Sequence, residues 1–205
     1  METKLSFVLP KGRLLNESKN ILKKTGMDFE IPEDRSLIKE EKDYRIVIAR
    51  ASDVPIFVEH GIDIGITGSD IIREGKFDLF IPLVLPFGKC RLSLAVPEGI
   101  NVKPKDMDGW RIATKYPRTT FEYFEKLNVE PEIIKLNGSV EVSVRTGIAD
   151  AIVDIVEKGT TIKANGLKEI YTIETVSALL LVNRISQKVN FDRINTIINK
   201  IKEAF

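Results

Sequence analysis

The sequence contains few of the residues that build covalent or metal-based sites. Its 205 residues include one cysteine, Cys90, and one histidine, His60. A single cysteine excludes an intramolecular disulfide and any zinc site built from several thiolates. A histidine triad or histidine metal site would depend on His60 alone, and we interpret His60 as a helix-end residue because Gly61 follows it. We interpret Cys90 as a partly buried small hydrophobe.

Surplus charge and long apolar runs are also absent. Lys plus Arg total 31 and Asp plus Glu total 30, so the formal net charge is +1. This balance offers no general attraction for nucleic acid or for an anionic membrane. No run approaches the roughly 20 apolar residues that span a bilayer, and the first residues lack a secretory signal pattern. We expect a cytoplasmic protein that binds neither nucleic acid nor membrane, and whose anion sites are local.

Strand-length apolar runs alternate with segments of helical spacing, which predicts an α/β fold with mainly parallel sheets and helices on both faces. The alternation breaks at Pro86–Cys90 and again at Glu174–Ser177. We therefore expect a first lobe of residues 1–89 and 177–205, and a second lobe of residues 90–176 inserted into it. A ligand cleft is expected between the lobes.

The predicted elements follow from these runs. We expect strands at Leu5–Leu9, Tyr44–Ala49, Ile62–Ile66, Phe77–Leu83, Arg91–Val96, Trp110–Thr114, Ile133–Leu136, Ala151–Val156, Ile170–Ile173 and Ala178–Val182. We expect helices at Leu14–Lys24, Val54–His60, Arg118–Leu127, Val140–Thr146 and Phe191–Ala204. The strand at 178–182 has no polar residue, so we expect it inside a sheet.

The most informative segment is residues 150–161. Its apolar strand carries Asp154 near the C-terminal end, where a fixed carboxylate accepts hydrogen bonds from two sugar hydroxyls. Gly159 then permits close approach of a ligand to the backbone, and Thr160 and Thr161 supply hydroxyl and N–H groups. This pattern predicts a phosphoribosyl site. The alternative is a core strand that ends in a solvated turn.

Cations recur at strand-to-helix junctions. Lys11 and Arg13 follow the first strand, Arg50 follows the strand at 44–49, and Lys115 follows the strand at 110–114. Simpler alternatives exist: Lys11 and Arg13 could form a basic turn with solvated side chains, and Arg50 could be a surface arginine paired with Asp53. Because such junctions share one edge of a parallel sheet, their joint placement predicts an anion site at that edge.

The segment Gly65–Asp70 is a further junction of this kind, since it follows a strand and opens a helix. Ser69 or Asp70 is a natural N-cap there. The glycine and lysine spacing of a P-loop is absent from the chain.

Seven ordered blocks resemble the ATP phosphoribosyltransferase family in its short form. The blocks are Pro10–Leu14, Gly61–Asp70, Lys89–Leu92, Arg111–Pro117, Leu136–Glu141, Gly147–Asp154 and Gly159–Thr161. The resemblance implies a two-lobed fold like the type II periplasmic binding proteins. It also implies transfer of the phosphoribosyl group of phosphoribosyl pyrophosphate (PRPP) to N1 of ATP, with Mg²⁺ on the polyphosphates.

The resemblance implies roles for individual residues. Those implied to bind PRPP are Asp154, Lys158, Gly159, Thr160 and Thr161. Those implied to take part in catalysis are Lys11, Arg50 and Glu141, the first two by stabilising pyrophosphate and the third by assisting the ribose or accepting an adenine proton. Those implied to line the ATP side are Arg13, Asp70 and Lys115.

The resemblance further implies a partner. Because the sequence ends at Phe205, we expect it to lack the histidine-binding domain of the long form. Short forms rely on a regulatory subunit that resembles histidyl-tRNA synthetase. We expect a hetero-oligomer, a hetero-octamer by resemblance, in which feedback inhibition resides on the partner, and a dimer if the chain is alone.

Three alternatives stand beside this interpretation. A solute-binding protein, or another small-anion binding module without catalysis, shares the two-lobed architecture. The effector-binding lobes of a transcription regulator share it as well, although a helix-turn-helix and a basic surplus are missing here. A phosphoribosyltransferase with another acceptor base is the nearest enzymatic alternative, because no residue of the sequence reads a base edge unambiguously.

Overall fold

A computed structural model describes residues 4–29 and 37–205. The chain divides into two compact units: unit 1 is Met1–Gly88 with Ser177–Phe205, and unit 2 is Lys89–Val176. Unit 2 is therefore inserted into unit 1. Lys89 lies in unit 2, one residue away from the boundary expected from the sequence.

The elements follow in chain order. Unit 1 begins with β1 (Leu5–Pro10), α1 (Leu15–Lys24), β2 (Ile38–Glu40), β3 (Tyr44–Ala49), α2 (Val54–Glu59), β4 (Ile64–Gly68), α3 (Ser69–Glu74) and β5 (Leu79–Val84). Unit 2 comprises β6 (Cys90–Pro97), a 3₁₀ turn (Pro104–Asp106), β7 (Arg111–Thr114), α4 (Pro117–Glu125), β8 (Glu132–Lys135), α5 (Val142–Arg145), β9 (Ala151–Val156), α6 (Thr160–Ala164) and β10 (Leu167–Val176). Unit 1 is completed by β11 (Ala178–Asn183), α7 (Arg184–Val189) and α8 (Phe191–Glu203).

The described residues of unit 1 form a six-stranded sheet in the order β2-β3-β1-β4-β11-β5. β1 is parallel to β3 and β4, whereas β11 is antiparallel to both of its neighbours. All six residues of β11 are buried. Its position inside the sheet confirms the prediction made from its unbroken apolar run.

The described residues of unit 2 form a five-stranded sheet in the order β10-β6-β9-β7-β8. β7 is parallel to β8 and β9, whereas β6 is antiparallel to β9 and β10. The α/β class is confirmed, but each sheet is mixed rather than mainly parallel. In unit 1, residues 41–43 alone join β2 to β3, and so short a connection makes neighbouring strands antiparallel. β6 and β11 are the strands by which the chain enters unit 2 and returns to unit 1, so neither follows a crossover helix of its own sheet.

Alternation along β1 places helices on both faces of the sheet of unit 1. Phe7 and Leu9 belong to a core cluster with residues of α1 and α8. Val8, which points to the opposite face, packs in a second cluster with Val54 and Val58 of α2. The central strands therefore bury both faces, as continuous apolar runs predict.

Three smaller expectations are also settled by the structure. His60 is the C-cap residue of α2, and its Nδ1 lies 2.9 Å from the carbonyl oxygen of Ile56, as expected of a helix-end residue. Cys90 opens β6 and is half-buried. Within residues 4–29 and 37–205, none of the helices is long and apolar enough to cross a membrane.

Candidate functional site

In unit 2, the parallel strands β7, β8 and β9 end at the same edge of the sheet. The register sets Thr114 opposite both Lys135 and Val153. Asp154 is the next residue of β9, and Lys115 follows the last residue of β7. Glu141 lies in the connection after β8, immediately before α5. This edge therefore collects Lys115, Glu141, Asp154 and the turn that follows β9.

Asp154 is half-buried on β9, between the buried Val153 and the half-buried Ile155. One of its carboxylate oxygens, Oδ1, accepts a hydrogen bond of 2.8 Å from the backbone N–H of Ile155. The side chain thus stands on a strand that is paired on both sides, by β6 and by β7. A carboxylate held in this way is a rigid acceptor for hydroxyl groups.

The turn after β9 is rich in hydrogen-bond donors. Lys158 is exposed, and Gly159 adopts the left-handed conformation with φ +75° as the N-cap residue of α6. Thr160 and Thr161 are exposed and begin that helix, which extends for five residues. Because the first N–H groups of a helix have no acceptor within it, the turn offers amide, hydroxyl and ammonium donors together. Donors of this kind suit a phosphate, and the nearby carboxylate of Asp154 suits a sugar.

Arg91 and Glu169 were not assigned a role from the sequence, yet the structure places them beside this turn. The Arg91 guanidinium donates to both carboxylate oxygens of Glu169, with Nε to Oε2 at 2.7 Å and Nη2 to Oε1 at 2.5 Å. Its third nitrogen, Nη1, donates to the carbonyl oxygen of Glu157 at 3.1 Å. The hydrogen bonds from Arg91 to the Glu169 carboxylate lower the pKa of Glu169. No local signal reveals this pair, since its members lie 78 positions apart.

Asp150, the other acid of the informative segment, lies before β9 begins, at the opposite edge of the sheet. Its Oδ1 accepts from Nη2 of Arg111 at 2.7 Å, and its Oδ2 accepts from Nε at 3.1 Å and from the backbone N–H at 2.9 Å. The side-chain hydrogen bonds of Arg111 lower the pKa of Asp150. The structure therefore separates Asp150 from Asp154 and gives Asp150 an ion-pair partner of its own.

In unit 1, the predicted cations also share an edge. Pro10 of β1 is opposite Ala49 of β3, and the backbone N–H of Lys11 donates to the Ala49 carbonyl oxygen at 2.7 Å. Lys11 and Arg50 are therefore adjacent where the two strands end, and both are exposed. Arg13 is exposed in the turn before α1. Within the part of the chain that is described, Arg50 makes no ion pair with Asp53 or with another acid.

Asp70 lies at the same edge, after β4, and is 8% exposed. The prediction that Ser69 or Asp70 caps the next helix is wrong, because Gly68 is the N-cap residue of α3 and Ser69 and Asp70 are its first two residues. The carboxylate of Asp70 is folded back over Gly68, so a Cβ at position 68 would collide with Oδ1 of Asp70. The absence of a side chain at position 68 is what allows this placement.

Comparison with known proteins identifies the family. A family profile described as "HisG: ATP phosphoribosyltransferase" matches residues 50–203. ATP phosphoribosyltransferases of Thermococcus gammatolerans and Pyrococcus furiosus are 58% and 56% identical to the chain, each over 98% of both sequences. The chain belongs to the ATP phosphoribosyltransferase family.

Solved structures agree with this membership in the family. A chain of the "ATP phosphoribosyl transferase (HisG:HisZ) complex from Thermotoga maritima" has a TM-score of 0.85 and 35% identity, over 98% of each chain. The periplasmic aliphatic sulphonate binding protein SsuA from Escherichia coli has a TM-score of 0.65 and 15% identity, over 100% of this chain and 73% of SsuA. The second likeness concerns the fold alone, and it confirms the expected resemblance to periplasmic binding proteins.

Proposed function

We propose that the chain transfers the phosphoribosyl group of PRPP to N1 of the adenine of ATP. The products are N1-(5-phosphoribosyl)-ATP and pyrophosphate, and the reaction is the first step of histidine biosynthesis. The observation that carries the proposal is the close succession of Asp154 and the donor-rich turn at 157–161, in a chain 58% identical to a named ATP phosphoribosyltransferase.

Unit 2 carries the phosphoribosyl site in this proposal. The carboxylate of Asp154 accepts hydrogen bonds from the ribose hydroxyls, and Lys158, Gly159, Thr160 and Thr161 donate to the 5-phosphate. Both groups stand at one edge of the sheet, so the sugar and its phosphate are held together. Glu141, which is half-buried at the same edge, assists the ribose or accepts a proton from the adenine.

The reaction forms a bond between adenine N1 and C1 of the ribose and breaks the bond from C1 to the pyrophosphate oxygen. N1 attacks from the face opposite the leaving group, so alignment and charge stabilisation are the main tasks of the protein. Lys11 and Arg50 stabilise the departing pyrophosphate. Arg13, Asp70 and Lys115 contact ATP.

A divalent metal, which we take to be Mg²⁺, accompanies the polyphosphates. Among the described residues, no three His, Cys, Asp or Glu side chains converge as metal ligands. The groups at both edges are chiefly cations, hydroxyls and amides, which match phosphate oxygens, so we assign the metal to the substrates and to no protein ligand. Mg²⁺ bound in this way would neutralise charge on the leaving group.

The partner is a regulatory subunit that resembles histidyl-tRNA synthetase. Support comes from the Thermotoga maritima structure, which is a complex of HisG with HisZ. We propose a hetero-octamer for the complete assembly, a dimer for the chain alone, and a cytoplasmic location for both. A binding module without catalysis is not favoured, because the binding protein SsuA is 15% identical to the chain whereas named transferases reach 58%.

The proposed function is tested by turnover. Purified chain is mixed with ATP, PRPP and Mg²⁺, with and without the regulatory subunit, and a pyrophosphatase removes one product to pull the equilibrium. We expect phosphoribosyl-ATP, identified by its absorbance and by mass spectrometry. PRPP binding without any product in either mixture would contradict the proposal and would favour the binding module. Product formation with another nucleotide in preference to ATP would favour a different acceptor base.

A further inference from the structure

An ion pair braces the turn that follows β9 in unit 2. Arg91 stands on β6 and Glu169 on β10, and these strands are antiparallel neighbours. The guanidinium joins the Glu169 carboxylate through two hydrogen bonds and the Glu157 carbonyl through a third. The Arg91 side chain therefore links β6, β10 and Glu157, the first residue of the turn.

The same pair also lies against Gly159. A Cβ built at position 159 would lie 3.4 Å from Oε1 of Glu169 and 4.0 Å from Nη2 of Arg91. The pair thus contacts the turn at Glu157 and faces it again at Gly159, on either side of Lys158. One ion pair therefore binds the first residue of the segment that precedes α6 and lies beside its last residue.

Arg91 is not itself suited to bind the phosphate. Three of its five N–H groups, one on each nitrogen, already donate to protein oxygens, and Glu169 balances its charge. A guanidinium whose charge is paired with a carboxylate, and most of whose N–H groups donate to the protein, contributes mainly geometry rather than attraction for an anion. Its role is therefore separate from that of the exposed Lys158.

We infer that Arg91 and Glu169 are positioning residues of the phosphoribosyl site, which fix the turn at 157–159 in the form that binds the 5-phosphate. This inference rests on the proposed function. Without the brace, the turn samples more conformations, and part of the binding free energy of PRPP is spent on ordering it. The loss falls mainly on PRPP binding, because no reacting atom is touched.

The same unit offers a matched control. Arg111 forms the corresponding fork with Asp150, and its Nη1 donates to the carbonyl oxygen of Gly147 at 2.8 Å. The side-chain exposures are 40% and 40% in this pair, against 35% and 23% for Arg91 and Glu169. The control pair lies at the opposite edge of the sheet, so its loss perturbs the fold without touching the turn.

The test compares Arg91→Lys and Glu169→Gln with Arg111→Lys and Asp150→Asn. Each variant is assayed for the KM of PRPP, the KM of ATP, kcat, PRPP binding by calorimetry, and urea unfolding. We expect the first two variants to raise the KM and Kd of PRPP about tenfold, the scale of one lost charged hydrogen bond. The KM of ATP should stay near the wild-type value. In the control variants, the KM of PRPP, the Kd of PRPP and the KM of ATP should all stay near their wild-type values.

The outcomes are distinguishable. If the wild-type chain binds PRPP and forms product but both variant pairs behave alike, the inference is overturned while the proposed function stands. If the wild-type chain neither binds PRPP nor turns over, with or without the regulatory subunit, the proposed function fails and the inference with it. If Arg91→Lys does not fold, Glu169→Gln decides alone, because it keeps the size and shape of the side chain. An unchanged KM of PRPP in folded Glu169→Gln overturns the inference.

Discussion

Alanine in place of Gly159 separates the role of this residue in the phosphate turn from its role in the fold. Gly159 and Gly166 flank α6, and both adopt the left-handed conformation, with φ values of +75° and +69°. A Cβ at position 159 meets Oε1 of Glu169 at 3.4 Å, an ordinary contact, and a Cβ at position 166 meets nothing within 4 Å. The two substitutions therefore carry the same backbone strain without a collision, and Gly166→Ala is the control.

The magnitude follows from that strain. An L-residue in the left-handed region costs about 1–2 kcal/mol, and the smaller conformational freedom of the unfolded alanine chain offsets roughly 0.5 kcal/mol of it. We expect each variant to lose about 1 kcal/mol of unfolding free energy, or roughly 2–4 °C in Tm for a chain of this size. The KM of PRPP should rise several-fold in Gly159→Ala and stay near the wild-type value in Gly166→Ala.

Urea unfolding followed by circular dichroism measures the free energies, and initial rates at varied PRPP measure the KM. Equal stabilities with unequal KM values are the expected pattern. An unchanged KM in Gly159→Ala, at the predicted loss of stability, would refute the assignment of this turn to the 5-phosphate. A KM raised equally in both variants would show that the effect spreads through α6 and is not specific to position 159.

Three further predictions concern other parts of the chain. Asn183→Ala should lower the unfolding free energy by about 2 kcal/mol, measured by urea unfolding, because the buried side chain caps α7 and donates to the Val58 carbonyl at 2.7 Å. Gly68→Ala should raise the KM of ATP several-fold and leave the KM of PRPP unchanged, because the new methyl group displaces the Asp70 carboxylate; steady-state kinetics with each substrate varied in turn check this. The pKa of Glu169 lies below its ordinary value of 4.5 because of its arginine partner, so its ionised form stabilises the fold above pH 4.5 and this contribution is lost as the pH falls through the lowered pKa. A urea series from pH 6 down to about pH 3 should therefore show a shallower loss of stability in Glu169→Gln than in the wild type.

Much of the fold follows from local pattern. The strands at Tyr44–Ala49 and Ala151–Val156 have the predicted bounds, because each is a mainly apolar run, interrupted only by Arg45 or Asp154, with a clear polar boundary. The strand predicted at Ile62–Ile66 lies instead at Ile64–Gly68. Asp63 precedes this strand and is buried, and its carboxylate accepts hydrogen bonds from the backbone N–H and the hydroxyl of Ser6. Such a contact between distant segments cannot be seen in a local sequence pattern.

The directions of some strands and the Arg91–Glu169 ion pair could not be predicted from local sequence patterns for the same reason. The direction of β6 and β11 depends on where the chain passes between the two units, not on the residues of those strands. The short helix at Arg184–Val189 lacks the length that makes helical spacing visible. The placement of cations at strand ends was predictable, since the rule that parallel strands share an edge needs only the order of elements.

The measurement that tests the account most directly compares Asp154→Asn with Asp150→Asn for PRPP binding and turnover. Both changes remove one carboxylate charge and keep its shape, at opposite ends of β9. The account predicts that Asp154→Asn loses PRPP binding and activity, while Asp150→Asn keeps the Kd of PRPP and the turnover rate near the wild-type values. Unchanged kinetics in Asp154→Asn, or an equal loss in both variants, would contradict the claim that the C-terminal edge of β9 holds the ribose.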